Sequence, residues 1–243
     1  MLIAVLTILF VASFVRSAFG FGEALVAVPL LAFAMPVDTA APIAALVSIT
    51  VAGVAIVQDW RHIHFRSAGR LFLATAVGTP LGLWALHALD EHLVKMALGA
   101  VVTAFSVFAL LRRRQAVLHD DRHAWAFGFG AGVLGGAYGM NGPPLVVYGA
   151  LRGWSPRHFR ATLQGYFLPA SLMAMAGYGL TGLWTPTVTR CYLLALPAVL
   201  GATLLGRALN ERLSGEVFVR CLYLGLASTG ALLLLQSQGW LGG

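Results

Sequence analysis

The chain has 243 residues, of which 59% are hydrophobic and 10% are charged, and its mean hydropathy is +0.82. Roughly a quarter of the residues in a soluble domain are charged, so this composition excludes a soluble globular protein and indicates an integral membrane protein. The formal net charge of +7 does not indicate a nucleic-acid partner, because the basic residues lie in short connections and do not form one face with aromatic residues between them.

The apolar residues fall into eight segments joined by short polar connections. Most segments reach the ~20 residues that a membrane-spanning helix needs, so we expect an all-α polytopic membrane protein. The first segment lacks a preceding basic residue and a small-residue cleavage site, so we expect it to be retained rather than removed as a signal peptide. In chain order the segments cover residues 2–19, 39–57, 67–87, 92–111, 124–150, 161–181, 186–206 and 217–236.

Glycine and proline interrupt apolar stretches at two matching positions. The first interruption contains Gly20 and Gly22, and the second contains Gly139, Gly142 and Pro143, about 120 residues later. Glycine lets the backbone turn and approach a ligand, and proline suits the first turn of a helix. Interrupted segments at corresponding positions in two halves of a membrane protein point to the substrate site of a transporter.

Further matches between the halves indicate an internal duplication. Pro36 corresponds to Pro156, and residues 87–93 correspond to residues 207–213. Ordered matches that include proline and charged residues are not expected by chance in an apolar chain. We therefore predict one integrated membrane domain made of a first transmembrane repeat, a cytoplasmic linker and a second transmembrane repeat, at residues 1–114, 115–123 and 124–243.

The charges of the connections predict that the two repeats have opposite orientations. Lysine and arginine are enriched in cytoplasmic connections. In the first repeat, the basic stretches at 61–70 and 112–122 are then cytoplasmic, and the acidic turn at 90–91 is external. The corresponding connection of the second repeat, at 207–212, is basic and therefore cytoplasmic. The sequence thus predicts inverted-topology repeats.

Each interrupted stretch is predicted to be a re-entrant pair of half-helices. Residues 125–149 have basic connections on both sides, and these 25 residues are too few for two crossings of ~20 residues each. Residues 2–35 are expected to form the equivalent pair from the outer side. Irregular backbone is tolerated at membrane depth only where protein or water surrounds it, so the two interruptions should meet at a central site.

The chemistry of this central site favours an anion. The half-helices that begin near Glu23 and Pro143 are expected to direct free N–H groups and positive dipole ends towards it. We predict that substrate is bound by residues at or near the two interruptions, namely Arg16, Gly20, Gly22, Glu23, Gly139, Asn141, Gly142, Pro143 and Gln164.

Four of these side chains have more than one interpretation. Arg16 is either a fixed counter-charge for the anion or an arginine that extends to the membrane interface. Glu23 either carries a coupling proton, forms a salt bridge with Arg16 or has a role at the membrane interface. Asn141 either contacts substrate or caps the half-helix that follows it. Gln164 either contacts substrate or hydrogen-bonds to a neighbouring helix.

Two runs in the second half resemble a known family. Residues 135–144 (Gly-Gly-Ala-Tyr-Gly-Met-Asn-Gly-Pro-Pro) and residues 155–162 (Ser-Pro-Arg-His-Phe-Arg-Ala-Thr) resemble the TauE/SafE sulfite exporter family, also called the 4-toluenesulfonate uptake permease family. The resemblance covers essentially the whole chain. It implies a bacterial inner-membrane transporter with duplicated halves that handles sulfite, sulfonates or other small organic anions. The chain departs from the family pattern at Glu23, where we expect a glycine.

The predicted function is secondary transport of a small anion, either sulfite, a sulfonate or a related organic anion, by alternating access. Ion gradients are expected to drive transport, because the chain lacks the phosphate-binding loop of ATP-driven transporters. Protons are the candidate coupling ion, with Glu23 as the candidate carrier. Hydrolase and zinc-protease motifs are also absent, so no enzymatic activity is predicted. Cys191 and Cys221 are isolated, so neither a metal nor another cofactor is expected.

The alternatives are an integral-membrane enzyme or accessory protein that uses the same cavity, and a passive anion channel. An enzyme would need a nucleophile, a metal cluster or an acid–base pair at the site, and there the sequence supplies Glu23 alone. The predicted partners are the anionic substrate and the lipid bilayer. The sequence leaves the oligomeric state open.

Overall fold

A computed structural model describes residues 2–59, 65–111, 121–154, 156–209 and 216–237. Within these ranges the chain is all-helical, with one 3-10 turn at Asp121–His123 and no strand. This confirms the predicted all-α class. The helices, numbered in chain order, are α1 Leu2–Phe19, α2 Glu23–Leu31, α3 Val37–Asp59, α4 Phe65–Ala88, α5 Glu91–Leu111, α6 Ala124–Tyr138, α7 Gly142–Leu151, α8 Pro156–Leu180, α9 Pro186–Leu209 and α10 Glu216–Ser237.

Five described helices contain stretches long and apolar enough to cross a membrane. Their lengths of 18 to 24 residues correspond to about 27–36 Å of helix, which matches the hydrocarbon thickness of a bilayer. These stretches are Leu2–Phe19, Val37–Ala55, Gly69–Ala88, Glu91–Leu111 and Pro186–Leu209.

The chain breaks at both glycine motifs, as the sequence predicts. The first break, residues 20–22, separates α1 from α2, and the second break, residues 139–141, separates α6 from α7. Gly20, Gly22 and Gly139 have φ angles of 85°, 100° and 63°, a left-handed region that side chains rarely adopt. The helices after the breaks contain 9 and 10 residues, or about 15 Å, too short to cross a bilayer.

The short helix α2 lies inside the protein. Eight of its nine residues are buried, including Glu23 at its start and Pro29 near its end. A helix that is apolar on all sides is stable inside a protein or against lipid, and the burial of α2 shows that neighbouring helices cover it. The half-helix that follows the first break is therefore enclosed by protein.

Helices α4 and α6 pack backbone against backbone through small residues. A side chain at Gly128 would collide with the backbone of Leu71, and one at Gly136 would collide with the backbone of Thr79. Small residues permit such close approach between membrane helices. Because the contacts advance in the same direction along both helices, α4 and α6 run parallel.

Helices α5 and α10 form an antiparallel pair. Nε2 of His92, near the start of α5, contacts the carbonyl of Ser237 at the end of α10. Farther along α5, the Phe105 ring lies 5.9 Å from the Tyr223 ring near the start of α10. The two helices therefore run in opposite directions.

The main helix pairs recur when each helix of the first half, α1–α5, is exchanged for its equivalent in the second half, α6–α10. The α4–α6 pair then becomes the α9–α1 pair, and the α4–α8 pair becomes the α9–α3 pair, all of which are present. The α3–α8, α5–α10 and α2–α7 pairs map onto themselves and are also present.

Candidate functional site

A small cavity lies between the two breaks. Both glycine motifs border it, although they are far apart in the sequence. Its walls come from α1, from the first break and the start of α2, from α3, from the second break and the start of α7, and from α8. The lining residues are Arg16, Phe21, Gly22, Glu23, Ala24, Leu25, Ser48, Gly139, Met140, Asn141, Gly142, Pro143 and Phe167.

Arg16 lies at the centre of the polar contacts. Its side chain is 3% exposed, and its Nη1 donates to Glu23 Oε2 at 2.6 Å and to Ser48 Oγ at 2.6 Å. The guanidinium carbon lies 4.7 Å from the centroid of the Phe167 ring, which is a cation–π contact. Ser171 Oγ donates to Ser48 Oγ at 2.9 Å. Side chains from three other helices, α2, α3 and α8, therefore fix the position of the guanidinium.

One edge of the Arg16 guanidinium has no partner. Nε and Nη2 are both buried and make no hydrogen bond, and neither does Oε1 of Glu23. The N–H bonds of Nε and Nη2 lie side by side and can bind two oxygens of one oxyanion. Buried polar groups without partners are expensive, so this edge is the strongest sign of a ligand in the described part of the chain.

At the second break, hydrogen bonds hold the Asn141 amide. Asn141 Nδ2 donates to the Tyr166 hydroxyl at 3.4 Å, and that hydroxyl lies 2.5 Å from Thr75 Oγ1. Thr75 donates its single proton to the carbonyl of Gly128 at 2.8 Å. Tyr166 must therefore donate to Thr75, and Asn141 must present its NH₂ group to Tyr166. The direction of every bond in this series is thus determined.

Two helices begin at the cavity. Gly22 precedes α2 and Asn141 precedes α7, and no side chain caps either start with a hydrogen bond. The first N–H groups of a helix have no acceptor within the helix, and the dipole makes this end positive. Both starts line the cavity, so they add two partial positive charges to that of Arg16.

Most of the predicted site residues meet at this cavity. Gly20 lies in the first break but does not line the cavity. The side chain of Gln164 lies outside the described residues. The predicted contact between Arg16 and Glu23 is present. The predicted residues that line the cavity are Arg16, Gly22, Glu23, Gly139, Asn141, Gly142 and Pro143.

The structure decides two of the alternatives raised by the sequence. Arg16 is buried, so it does not extend to the membrane interface. The Asn141 side chain does not cap α7 but donates to Tyr166. Whether either residue binds substrate stays a prediction.

Ser48 and Phe167 belong to the site but were not predicted. Ser48 is a buried polar residue in the apolar helix α3, which is a weak sequence signal. Phe167 carries no signal, because phenylalanine in an apolar helix usually packs against other apolar groups.

Known sequences that are similar to this chain indicate its family. The family model described as "Sulfite exporter TauE/SafE" matches residues 5–233. The chain is also similar to a protein from Cupriavidus necator named "Probable sulfite/organosulfonate exporter TauE", with 26% identity over 206 residues, which covers 83% of this chain and 80% of the relative. No solved structure matches. Because the family model covers nearly its whole length, the chain belongs to the sulfite exporter TauE/SafE family.

Proposed function

We propose that the chain is a secondary transporter that binds sulfite or an organosulfonate in the cavity between the two breaks and carries it across the membrane. The observation that carries this proposal is the buried, unpartnered edge of Arg16. Sulfite and sulfonate groups present pairs of oxygens that suit the two side-by-side N–H bonds of a guanidinium. The name of the relative, a sulfite/organosulfonate exporter, supports the same class of substrate.

Membership of this family, together with the five apolar helices, makes the chain a multi-pass protein of the bacterial inner membrane. Within it we place two inverted repeats, at residues 1–114 and 124–243. The exchangeable helix pairing supports this arrangement, as does the antiparallel α5–α10 pair. The parallel α4–α6 pair supports a cytoplasmic start for both helices, because each follows a basic connection.

The inverted arrangement predicts the location of two equivalent positions. Ala88 at the end of α4 and Ala208 near the end of α9 are both exposed. We expect single cysteines at these positions, with Cys191 and Cys221 replaced by serine, to react with a membrane-impermeant maleimide from opposite sides of the membrane. Labelling is compared in intact cells and in inverted vesicles. Reaction of both positions from the same side would contradict the inverted repeats.

The second break completes the binding site in this proposal. The fixed orientation of the Asn141 amide, along with the starts of α2 and α7, supports a role in holding the oxygens that Arg16 does not reach. Gly142 and Pro143 leave room for the ligand close to the backbone.

Alternating access requires the contacts between the repeats to change while the anion stays bound. The Ser48–Ser171 hydrogen bond and the Arg16–Phe167 contact join the first repeat to the second at the site. An anion bound to the free edge of Arg16 alters the charge next to both contacts. Anion binding is therefore expected to change the relative position of the repeats through these two contacts.

Glu23 is the proposed site of the coupling proton. Its Oε1 lies in the cavity wall without a partner, and its Oε2 is bound to Arg16. A proton on Oε1 neutralises the carboxylate and turns a repelling oxygen into a hydrogen-bond donor for the anion. Anion and proton then enter the site together, and a proton gradient drives transport.

Transport by the purified protein in liposomes tests this proposal. Radiolabelled methanesulfonate is suitable, because its charge does not change over the working pH range. We expect accumulation above equilibrium when a proton gradient is imposed, and loss of that accumulation when a protonophore collapses the gradient. Empty liposomes and the Arg190→Gln variant, which removes an exposed arginine of α9, serve as controls. Flux that only equilibrates the two sides would contradict coupling to protons and indicate passive transport, and no flux would refute transport of this anion.

A further inference from the structure

The charges that line the cavity are balanced before any substrate binds. Arg16 is the one cation and Glu23 the one anion among the described lining residues, and they are in direct contact at 2.6 Å. Both side chains are at least nine-tenths buried. The remaining lining residues carry no formal charge.

We propose that this balance makes the transporter select monoanions, such as organosulfonates, over dianions such as sulfate, and that Glu23 is the residue that sets the limit. This inference rests on the proposed function. It goes further by naming the charge of the substrate and the side chain that selects it.

The physical reason is the charge left in the cavity after binding. A monoanion on the free edge of Arg16 brings the net charge of the site to −1, which one proton or the two helix starts can offset. A dianion brings it to −2 in a place with little water, where repulsion from Glu23 is poorly screened. The shape of the bound edge does not discriminate, because sulfate and a sulfonate can each present two oxygens of a tetrahedral sulfur to the arginine.

Glu23 repels the anion but does not compete for its binding positions on Arg16. The carboxylate is bound to Nη1, whereas the free edge consists of Nε and Nη2. Arg16 can therefore hold Glu23 and the substrate at the same time. Removing the charge of Glu23 should change which anions bind, without removing the groups that bind them.

Methanesulfonate and sulfate form a matched pair for the test, since they are similar in size and differ by one charge over the working pH range. Their affinities for the detergent-purified protein are measured by calorimetry at one pH and one ionic strength. We expect the wild-type protein to bind methanesulfonate roughly tenfold or more tightly than sulfate. Equal affinities, or tighter binding of sulfate, would overturn the inference and need no variant.

The Glu23→Gln variant tests the assignment to this residue. We expect it to bind sulfate roughly tenfold or more tightly than the wild type does, with a smaller gain for methanesulfonate. Glu23→Asp keeps the charge and should keep the preference for the monoanion. Glu91→Gln, which removes an exposed carboxylate that pairs with Lys95, should leave both affinities unchanged.

The possible outcomes separate this inference from the proposed function. If neither anion binds and neither crosses proteoliposomes, the proposed function fails. If methanesulfonate is transported but the ratio of the two affinities is the same in wild type and Glu23→Gln, selection by Glu23 is refuted and the proposed function stands. If Glu23→Gln does not fold, the wild-type ratio still decides whether the monoanion is preferred, and Glu23→Ala, which also removes the charge, decides whether Glu23 sets that preference.

Discussion

We expect the Arg16→Gln variant to lose at least about 3 kcal/mol of anion-binding free energy, a fall in affinity of about a hundredfold or more. Two charge-assisted hydrogen bonds to the anion are lost together, and glutamine cannot replace them with a fixed pair of parallel N–H bonds. Affinity for methanesulfonate is measured by calorimetry, and flux is measured in proteoliposomes. Unchanged affinity would remove Arg16 from the binding site.

The Arg16→Lys variant is the matched control for charge. Lysine keeps the positive charge but offers a compact ammonium in place of the planar guanidinium. We expect it to bind the anion more weakly than wild type and more tightly than Arg16→Gln. Equal affinity of Arg16→Lys and wild type would show that charge alone, and not the free edge, holds the anion.

The melting temperature of each variant has to be measured together with its anion affinity, because Arg16 also pairs with Glu23. Removing one partner of a buried ion pair lowers the free energy of unfolding by about 3–5 kcal/mol, since the remaining charge is left unpaired. The double variant Arg16→Gln/Glu23→Gln leaves neither charge. We expect its melting temperature to exceed that of Arg16→Gln, while its anion affinity stays far below that of the wild type. This combination separates loss of the ligand site from loss of fold.

The breaks were predictable from the sequence because their causes are local. A left-handed backbone angle at Gly20, Gly22 or Gly139 requires glycine, and proline after Gly142 favours the first turn of a helix. The Arg16–Glu23 contact could also be predicted, because the two residues are 7 positions apart across a single turn. In each case the signal lies within a few residues.

The rest of the site depends on contacts between distant helices. Arg16 contacts Ser48 across 32 positions and Phe167 from the other half of the chain, and no local pattern encodes either pairing. The sequence left Arg16 and Glu23 with competing roles. The structure shows that pairing with Glu23 occupies only one corner of the guanidinium, so a structural ion pair and an anion site are compatible at this arginine.

Gly139 in the second break and Gly142 at the start of α7 are expected to respond differently to substitution. Gly139 has φ of 63°, and a Cβ there would approach the Ala41 carbonyl to 3.0 Å. A side chain at this position is strained by roughly 1–3 kcal/mol, so Gly139→Val should lower the melting temperature as well as transport. Gly142 has an ordinary backbone angle, and a Cβ there would meet no atom within 4 Å.

Because Gly142 lines the cavity, a side chain there occupies the space of the anion. Gly142→Leu should abolish transport of methanesulfonate while the melting temperature stays close to wild type. Gly142→Ala adds a Cβ before Pro143 without the bulk of leucine. Both variants therefore share the backbone preference of a non-glycine residue before proline, and the difference in flux between them reports filling of the cavity. Gly201→Leu is the control for added bulk alone, because Gly201 is exposed on α9 and has equally open surroundings. Normal flux in Gly142→Leu would place the anion away from the second break, whereas loss of flux with retained stability would place it between the start of α7 and the free edge of Arg16.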